Sequence, residues 1–266
     1  MGGEPLADPD LPALVARVPR CEAVVVVTTN GVLLDEASLD RLIGAGLGIL
    51  AVSLDEPDPA AHDAFRGRAG TFAAAMAAVV AARRRGLECV INSMITEEKL
   101  LDGRGARLAD LALRHGAKIN LSRPAPVGRW AKYGPVRLSA TAAAELARLR
   151  AFPHVRWDGQ SNYLKPGCAA GGEKIAVTAY GDVMPCCTIH LSYGNLRARP
   201  LRDIWRDMLT HPILCRHYDC CPACEDPEFI QQVLKPIEAA DGPKPLPAQR
   251  FLGSPRGNAA HRQDDQ

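Results

Sequence analysis

The chain contains 266 residues, of which 47% are hydrophobic and 23% are charged, and its formal net charge is +2. This balance is typical of a globular protein with one large domain and room for a small second one. The near-neutral charge excludes a strong field that would attract nucleic acid or an anionic membrane. The longest apolar run, residues 72–82, is too short to span a bilayer, and the start shows no export signal. We therefore expect a cytoplasmic location, with neither nucleic acid nor membrane as a partner.

Residues 11–160 alternate between segments with helical periodicity and short runs of β-branched or aliphatic residues. The predicted helices cover 12–18, 35–45, 71–85, 104–115 and 140–151. The predicted strands cover 23–28, 48–54, 88–95 and 118–122, followed by a short extended segment at 155–157. This alternation predicts an α/β fold with about four parallel strands and helical crossovers. The strands are apolar throughout, as expected when both faces of a sheet are covered, and the loops that follow them are expected to carry the chemistry.

The pattern changes after residue 160, where Gly, Pro and Cys become frequent. The segment EKIAVTAYGDVMPC, residues 173–186, predicts a β-hairpin with its turn near 180–182. One short helix is predicted at 201–209. The interpretation is a first domain at 1–160, a small cysteine-rich domain at 161–235 and a disordered, Pro/Gly-rich and polar tail at 236–266.

The cysteines point to metal ligation. The chain has nine, and seven of them lie between Cys168 and Cys224. Without an export signal, such clustering favours metal binding over disulfides. Cys168 and Cys186 flank the predicted hairpin, and Cys221 and Cys224 form a C-x2-C pair. Four thiolates suit either zinc or an iron–sulfur cluster, although the wide spacing of the first pair is unusual for a structural zinc site.

Adjacent cysteines leave the ligand set open. Neighbouring side chains of an extended strand point to opposite faces, so only one of Cys186 and Cys187 can easily face a shared metal site. We prefer Cys186 and Cys221, which complete the G-x4-C and C-x2-C spacings. Three cysteines remain as spare core thiols, alternative ligands or ligands of a second cluster: Cys187, Cys215 and Cys220. Two further cysteines are expected to be ordinary buried thiols: Cys21 and Cys89.

Several stretches occur together in a characteristic order. They are GGEPLADPDL (2–11), TTNG (28–31), VSLDEPDPAAHDAFRG (52–67), GC with GDVMPC (167–186), GNLRARPLRDIW (194–205) and CPAC (221–224). In this order and spacing the sequence resembles radical S-adenosylmethionine (radical SAM) enzymes that carry a C-terminal SPASM or twitch domain. The resemblance implies a partial (β/α)6 barrel followed by a small domain that holds an auxiliary 4Fe-4S cluster, with Cys168, Cys186, Cys221 and Cys224 as its ligands.

The resemblance also implies a binding site for the methionine part of SAM. Its amino group would be held by the loop formed by Gly2, Gly3, Glu4 and Pro5. Glycines allow close approach of the backbone to a ligand, and a carboxylate suits an ammonium group. Ser53 and Arg66 match positions that hold the SAM carboxylate, for which a guanidinium is a sound partner.

Three more residues would face the same pocket or support it. Thr28 and Asn30 lie at the end of the preceding strand. Asp55 is expected to support either the ribose hydroxyls or the loop itself. His62, in an expected loop, is interpreted as structural rather than catalytic. No catalytic residue is assigned.

One defining motif of the family is missing from the sequence. The C-x3-C-x2-C loop, which binds the radical-generating 4Fe-4S cluster and precedes the Gly-Gly-Glu-Pro segment in the family, does not occur. We therefore expect a truncated chain that lacks roughly 60 upstream residues, or two βα units. Such a chain has no radical-generating cluster unless that upstream part exists, and as it stands it is expected not to cleave SAM.

The resemblance implies hydrogen-atom abstraction and radical modification of a peptide or small molecule by the complete enzyme. A reductant such as flavodoxin or ferredoxin would be a partner. Two alternatives from other classes are a non-catalytic iron–sulfur protein for electron transfer or scaffolding, and a structural zinc protein.

Overall fold

The structure is a computed structural model that describes residues 3–19, 22–131, 138–158, 167–215 and 218–250. Two of the residues singled out above, Gly2 and Cys21, lie outside these ranges. The described residues form two compact units. The first comprises residues between 3 and 124 together with 138–158, and the second comprises 125–131 together with residues between 167 and 250.

A parallel five-stranded sheet is the centre of the first unit. Its strands follow one another in chain order across the sheet, and every pair is parallel. They are β1 (Val25–Thr29), β2 (Leu47–Ser53), β3 (Glu88–Met94), β4 (Lys118–Ser122) and β5 (Val155–Trp157). The expectation of about four strands was one too few, because the short segment at 155–157 pairs in parallel register with Ile119, Asn120 and Leu121 of β4.

The helices that connect these strands cover one face of the sheet. Side chains on that face, such as Leu50, Ile91 and Ile119, are fully buried. On the other face of the sheet, Thr28 is exposed and Ser53 is partly buried. None of the helices in the described ranges is long and apolar enough to cross a membrane. The helices of this unit are α1 (Leu11–Ala16), α2 (Glu36–Ala45), α3 (Pro59–Arg66), α4 (Thr71–Arg84), α5 (Glu97–Leu101), α6 (Arg104–Arg114) and α7 (Ala140–Arg150).

Helix α3 differs from the sequence-based expectation, which placed His62 in a loop. The helix begins at Pro59, where a missing N–H costs nothing, and the Asp58 carboxylate caps it by accepting from the Ala61 N–H at 2.9 Å. It ends at Gly67, whose φ of 70° is the left-handed conformation that closes many helices. Helix α5, also absent from the prediction, is capped in the same way by Thr96.

The second unit contains the predicted hairpin and a second apolar core. Strands β6 (Ala176–Val177) and β7 (Val183–Met184) are antiparallel, and their turn passes through Gly181 with φ 93°. The helix predicted at 201–209 is α8 (Leu201–Leu209), and its Ile204 and Met208 are fully buried. Shorter elements complete the unit: β8 (Leu191–Ser192), α9 (Pro212–Cys215), α10 (Pro222–Glu225), α11 (Pro227–Phe229), a π-helical turn (Ile230–Leu234), α12 (Lys235–Ala239) and β9 (Leu246–Pro247).

Residues 236–250 differ from the disordered tail expected there. Ile237 of α12 and Leu246 of β9 are buried, at 1% and 2% exposure, in the core of the second unit. Strand β9 pairs in parallel with β8, with Leu246 opposite Leu191. The abundance of Pro and Gly suggested disorder, but three apolar side chains of this segment, Ile237, Leu246 and Ala248, are buried. Residues 251–266 lie outside the described ranges.

The buried position of Ile237 yields a stability prediction. Ile237→Ala leaves a cavity in the second core, so the free energy of unfolding should fall by about 2–5 kcal/mol. Urea denaturation combined with hydrogen exchange of the second unit measures the effect. Leu209→Ala, at a side chain that is 49% exposed, is the matched control and should change stability by less than about 0.5 kcal/mol. Equal effects of the two substitutions would contradict the packing role of α12.

Candidate functional site

The candidate binding residues of the first unit lie at the carboxyl ends of β1 and β2. Parallel strands place their carboxyl ends at one edge of the sheet, which brings residues distant in sequence together. Asn30 follows β1 directly, and Ser53 is the last residue of β2. Ser53 stands opposite Asn92 of β3 in the register. Ser53 and Asn92 are partly buried, and Thr28, on β1, is exposed.

Glu4 fastens the amino-terminal segment to the end of β1. Its Oε1 accepts from the Thr29 hydroxyl at 2.6 Å and from the Leu6 N–H at 3.3 Å. Its Oε2 accepts from the Asn30 N–H at 2.9 Å and keeps capacity for one more donor. A Cβ placed on the neighbouring Gly3 would meet no atom within 4 Å. The segment therefore presents a carboxylate oxygen beside open backbone, a combination that fits the ammonium group of an amino-acid ligand.

Asp55 connects the ends of β2 and β3 to helix α3. Its Oδ2 forms an ion pair of 2.5 Å with Nη2 of Arg66, and its Oδ1 accepts from the Met94 N–H at 2.8 Å. Asp55 is 3% exposed. Both carboxylate oxygens therefore bind protein groups.

Arg66 is held at one nitrogen and available at others. It is the last residue of α3, and its side chain is 32% exposed. The guanidinium has five N–H donors in a fixed fork. With Asp55 fixing Nη2, the remaining donors are oriented and able to bind a carboxylate.

His62 supports the same loop from the other side. It is 1% exposed, and its Nδ1 accepts from the Asp55 N–H at 3.2 Å. Burial, and secondarily the nearby Arg66 charge, lowers the pKa of His62 below its usual 6.5. The imidazole is thus held neutral as an acceptor, in agreement with the structural role expected for it.

Sequence reasoning missed a second buried ionic group at this edge. Lys99 and Glu56 are 4% and 5% exposed and lie 2.9 Å apart, Nζ to Oε1. Nothing in the local sequence marks Lys99, because a lysine in a charged helical turn is ordinarily solvated.

The second unit brings together the four cysteines preferred from the sequence. Cys221 is the central member: its thiol hydrogen-bonds that of Cys224 and interacts electrostatically with those of Cys168 and Cys186. Cys221 immediately precedes α10, which contains Cys224, and the Cys224 N–H donates to the Cys221 carbonyl at 3.0 Å. The Cys168 N–H is bonded to the Tyr218 carbonyl at 2.8 Å, which ties the first ligand position to the segment just before the C-x2-C pair.

These thiols are held in a desolvated setting. Burial raises the pKa of Cys186 to about 12 and also raises that of Cys168. For Cys221 the hydrogen bond with Cys224 comes first and burial second, and both raise its pKa well above the usual range. Buried thiolates need a compensating cation, so a set of four such thiols fits the ligation of an iron–sulfur cluster.

The alternative cysteines are placed differently. Cys187 is exposed, while the adjacent Cys186 is partly buried. The imidazole nitrogens of His190 lie 3.2 Å from the Cys187 carbonyl oxygen and 3.1 Å from Oε1 of Glu238, which connects this turn to α12. Cys220 is partly buried, and the side chain of Cys215 lies outside the described part.

No three Cys, His, Asp or Glu side chains of the described ranges converge on a single metal ion. The thiolates of a 4Fe-4S cluster bind different iron atoms, so this kind of cluster does not require them to meet at one point.

The neutral imidazole of His62 predicts a pH dependence. In the unfolded chain His62 takes up a proton below about 6.5, whereas the folded state, with a lowered pKa, resists protonation. The stability of the first unit should therefore fall as the pH drops below about 6.5. His62→Asn keeps an acceptor for the Asp55 N–H without a titrating group, so the variant should lose less stability between pH 7 and 5. Chemical denaturation at several pH values tests this, and parallel pH profiles would contradict it.

Comparisons with known proteins match both units. Residues 1–99 match the model of the radical SAM superfamily, and residues 168–226 match an iron–sulfur cluster-binding domain, SPASM. A PqqA peptide cyclase from Streptomyces rochei is 33% identical over 223 residues, which are 77% of this chain and 60% of that protein. An AdoMet-dependent heme synthase from Methanosarcina barkeri is 28% identical over 236 residues, covering 77% of this chain and 67% of that protein. The chain thus spans about three-fifths of the length of the peptide cyclase.

Solved structures support the fold. SuiB of Streptococcus suis bound to its precursor peptide SuiA superposes with a TM-score of 0.61 at 18% identity, over 80% of this chain and 54% of that one. SuiB bound to S-adenosylmethionine gives a TM-score of 0.58 at 18% identity, over 77% and 53% of the two chains. With both units matched in the order expected from the sequence, the chain belongs to the radical SAM superfamily and carries a SPASM iron–sulfur cluster-binding domain.

Proposed function

We propose that this chain provides the SAM-binding strand ends and the auxiliary-cluster domain of a cytoplasmic radical SAM enzyme that modifies a peptide. The observation that carries the proposal is the group of four interacting thiols, Cys168, Cys186, Cys221 and Cys224, in a chain whose first unit presents an oriented arginine at the edge of a parallel sheet. Four buried or partly buried thiols serve iron–sulfur binding, and the arginine serves an amino-acid carboxylate.

On the first unit, each residue has a binding task. Arg66, oriented by Asp55, holds the carboxylate of the SAM methionine moiety, and the Ser53 hydroxyl donates to the same group. Glu4 accepts from the ammonium through its Oε2, the oxygen with spare acceptor capacity. Thr28 and Asn30 line the adjoining edge, and Gly2, Gly3 and Pro5 complete the loop that lets the ligand approach the backbone.

On the second unit, the thiols bind and the surrounding apolar side chains exclude water. Cys168 lines a small pocket with Ile189, Leu214 and Phe229, among other residues. An auxiliary 4Fe-4S cluster held by the four cysteines would supply one-electron redox chemistry. The apolar residues of this pocket would limit solvent access to the cluster beside Cys168.

The comparisons favour a peptide as the substrate. One relative is named a PqqA peptide cyclase, and one structural neighbour binds a precursor peptide. The proposal includes a flavodoxin or ferredoxin as reductant, since the cluster chemistry needs an electron source.

Metal and sulfide analysis of the anaerobically purified or reconstituted chain tests the cluster proposal. The chain should contain about four iron and four acid-labile sulfide per protein. Cys168→Ser and Cys224→Ser should each lose most of this content, because each removes one of four ligands. Cys187→Ser and Cys89→Ser, at an exposed and at a buried thiol outside the set, are the controls and should retain it.

Stoichiometric zinc without acid-labile sulfide would overturn the cluster proposal in favour of a structural zinc protein. Loss of iron in Cys187→Ser but not in Cys186→Ser would reassign the ligand at that turn.

Ligand binding tests the SAM proposal independently of turnover. S-adenosylhomocysteine carries the amino-acid moiety, and 5'-methylthioadenosine lacks it. Arg66→Met removes a charge-assisted hydrogen bond to the carboxylate, so it should weaken S-adenosylhomocysteine by roughly tenfold or more and leave 5'-methylthioadenosine unchanged. Arg68→Met, at an exposed arginine two positions away, is the matched control. Equal weakening of both ligands by Arg66→Met in equilibrium dialysis would contradict the assignment.

A further inference from the structure

A buried lysine lies behind the candidate SAM site without belonging to its lining. The Nζ of Lys99 donates to the carbonyl of Asp55 at 2.7 Å and to the carbonyl of Met94 at 3.1 Å. It forms an ion pair with Oε1 of Glu56 at 2.9 Å. An ammonium has three donors, and here each has an acceptor supplied by the protein.

Glu56 is shared between two cations. Its Oε1 also lies 3.2 Å from Nη1 of Arg104, which extends the network to the start of α6. Arg104 is in turn paired with Asp102 at 2.6 Å and with Glu98 at 2.7 Å. Arg104 thus anchors the outer end of the network, while Lys99 and Glu56 form its buried part.

The location of this group is not explained by stability alone. Burying a charge pair costs desolvation that the pair often only just repays, so apolar side chains of the same size serve a core equally well or better. At this place, however, an apolar side chain would remove the donor that Lys99 supplies to two carbonyl groups, those of Asp55 and Met94. Asp55 lies two residues after the end of β2, and Met94 is the last residue of β3.

Asp55 is therefore fixed from both its backbone and its side chain. Lys99 holds its carbonyl, His62 accepts from its N–H, and its carboxylate binds the Met94 N–H and Arg66. The position of the Arg66 guanidinium follows from that of Asp55, since Nη2 is bound to Oδ2. A shift of the Asp55 backbone would be passed directly to Arg66.

We infer that Lys99, with Glu56, is a positioning residue that sets the Asp55–Arg66 pair in the geometry required to bind the carboxylate of SAM. The inference deepens the proposed function and rests on its assignment of Arg66. Lys99 acts through Asp55 and does not touch the ligand. Its loss therefore affects ligands that carry the carboxylate and spares ligands that lack it.

The test compares two ligands across four variants of the full chain: Lys99→Met, Lys99→Arg, Arg66→Met and the control Lys118→Met. Equilibrium dialysis gives the dissociation constants of S-adenosylhomocysteine and 5'-methylthioadenosine. Lys99→Met should weaken the first ligand by roughly tenfold, the scale of one misplaced charge-assisted bond, and leave the second within about twofold. Lys99→Arg keeps a buried cation and should restore part of the loss. Lys118→Met removes the exposed ion pair with Glu88 and should change neither ligand.

The outcomes separate the inference from the proposed function. Selective weakening by Arg66→Met but not by Lys99→Met overturns the positioning role and leaves the SAM site intact. No selective effect of Arg66→Met overturns the SAM assignment, and the inference with it. Equal weakening of both ligands by Lys99→Met shows a merely structural lysine and overturns the inference.

Glu56→Gln keeps the inference testable if Lys99→Met does not fold. This change preserves the shape of the side chain and removes only the charge that holds Lys99 and Arg104. It should weaken S-adenosylhomocysteine selectively by about threefold, a weaker effect because both carbonyl contacts of Lys99 remain. Unchanged affinity in Glu56→Gln, with Arg66→Met still selective, overturns the positioning role.

Discussion

A single buried carboxylate, that of Asp55, joins parts of the first unit that the chain keeps far apart. It bonds the end of β3 through Met94 and the end of α3 through Arg66, while its own N–H is accepted by His62. Parallel sheets leave the carboxyl ends of their strands without a common turn, because each strand continues into a helix on the sheet face. A polar crosslink at that edge supplies the rigidity that turns supply in antiparallel sheets. The binding role proposed for Ser53 and Arg66 depends on this rigidity.

The four candidate ligand thiols of the second unit lie in a setting that disfavours the charged form: burial raises the pKa of Cys168 and Cys186, and the hydrogen bond with Cys224, followed by burial, raises that of Cys221. The fold stabilises this arrangement with backbone bonds, such as that from Cys168 to Tyr218, and with an apolar core. Thiols must lose their protons to bind a metal, so metal affinity and the folding of this unit are linked.

The sequence patterns predicted the repetitive parts of the fold well. The strand at 118–122 and the helix at 201–209 agree with the structure at both ends, because each has a clear period and clear flanking residues. Helix α3 was missed because its eight residues are too few to show a period, although Asp58 followed by Pro59 is a recognisable start. The packing of 236–250 was missed because composition suggested disorder, while the strand that pairs with Leu246, at Leu191, lies far away in the chain.

The candidate site likewise combines residues that the sequence identified with contacts that only the structure shows. The family resemblance identified Glu4, Asp55 and Arg66, and the structure places them at one edge of the sheet, but the ion pair between Asp55 and Arg66 is a geometric result. Lys99 and Glu56 carry no local signal, since their significance comes from burial, which is a property of the folded chain. The preference for Cys186 over Cys187 comes from the sequence spacing, and the structure adds only that Cys187 is the more exposed of the two.

The pairing of β8 with β9 has a consequence for synthesis on the ribosome. Leu191 meets Leu246, and the segment between them contains the C-x2-C pair at 221–224. Domains emerge and fold from the amino terminus onward, so the first unit can form its sheet while the second is still being made. The pairing of β8 with β9 can form only after residue 247 has left the exit tunnel. The contact between Leu191 and Leu246 therefore forms only after the segment that carries the cysteines of this unit has been synthesised.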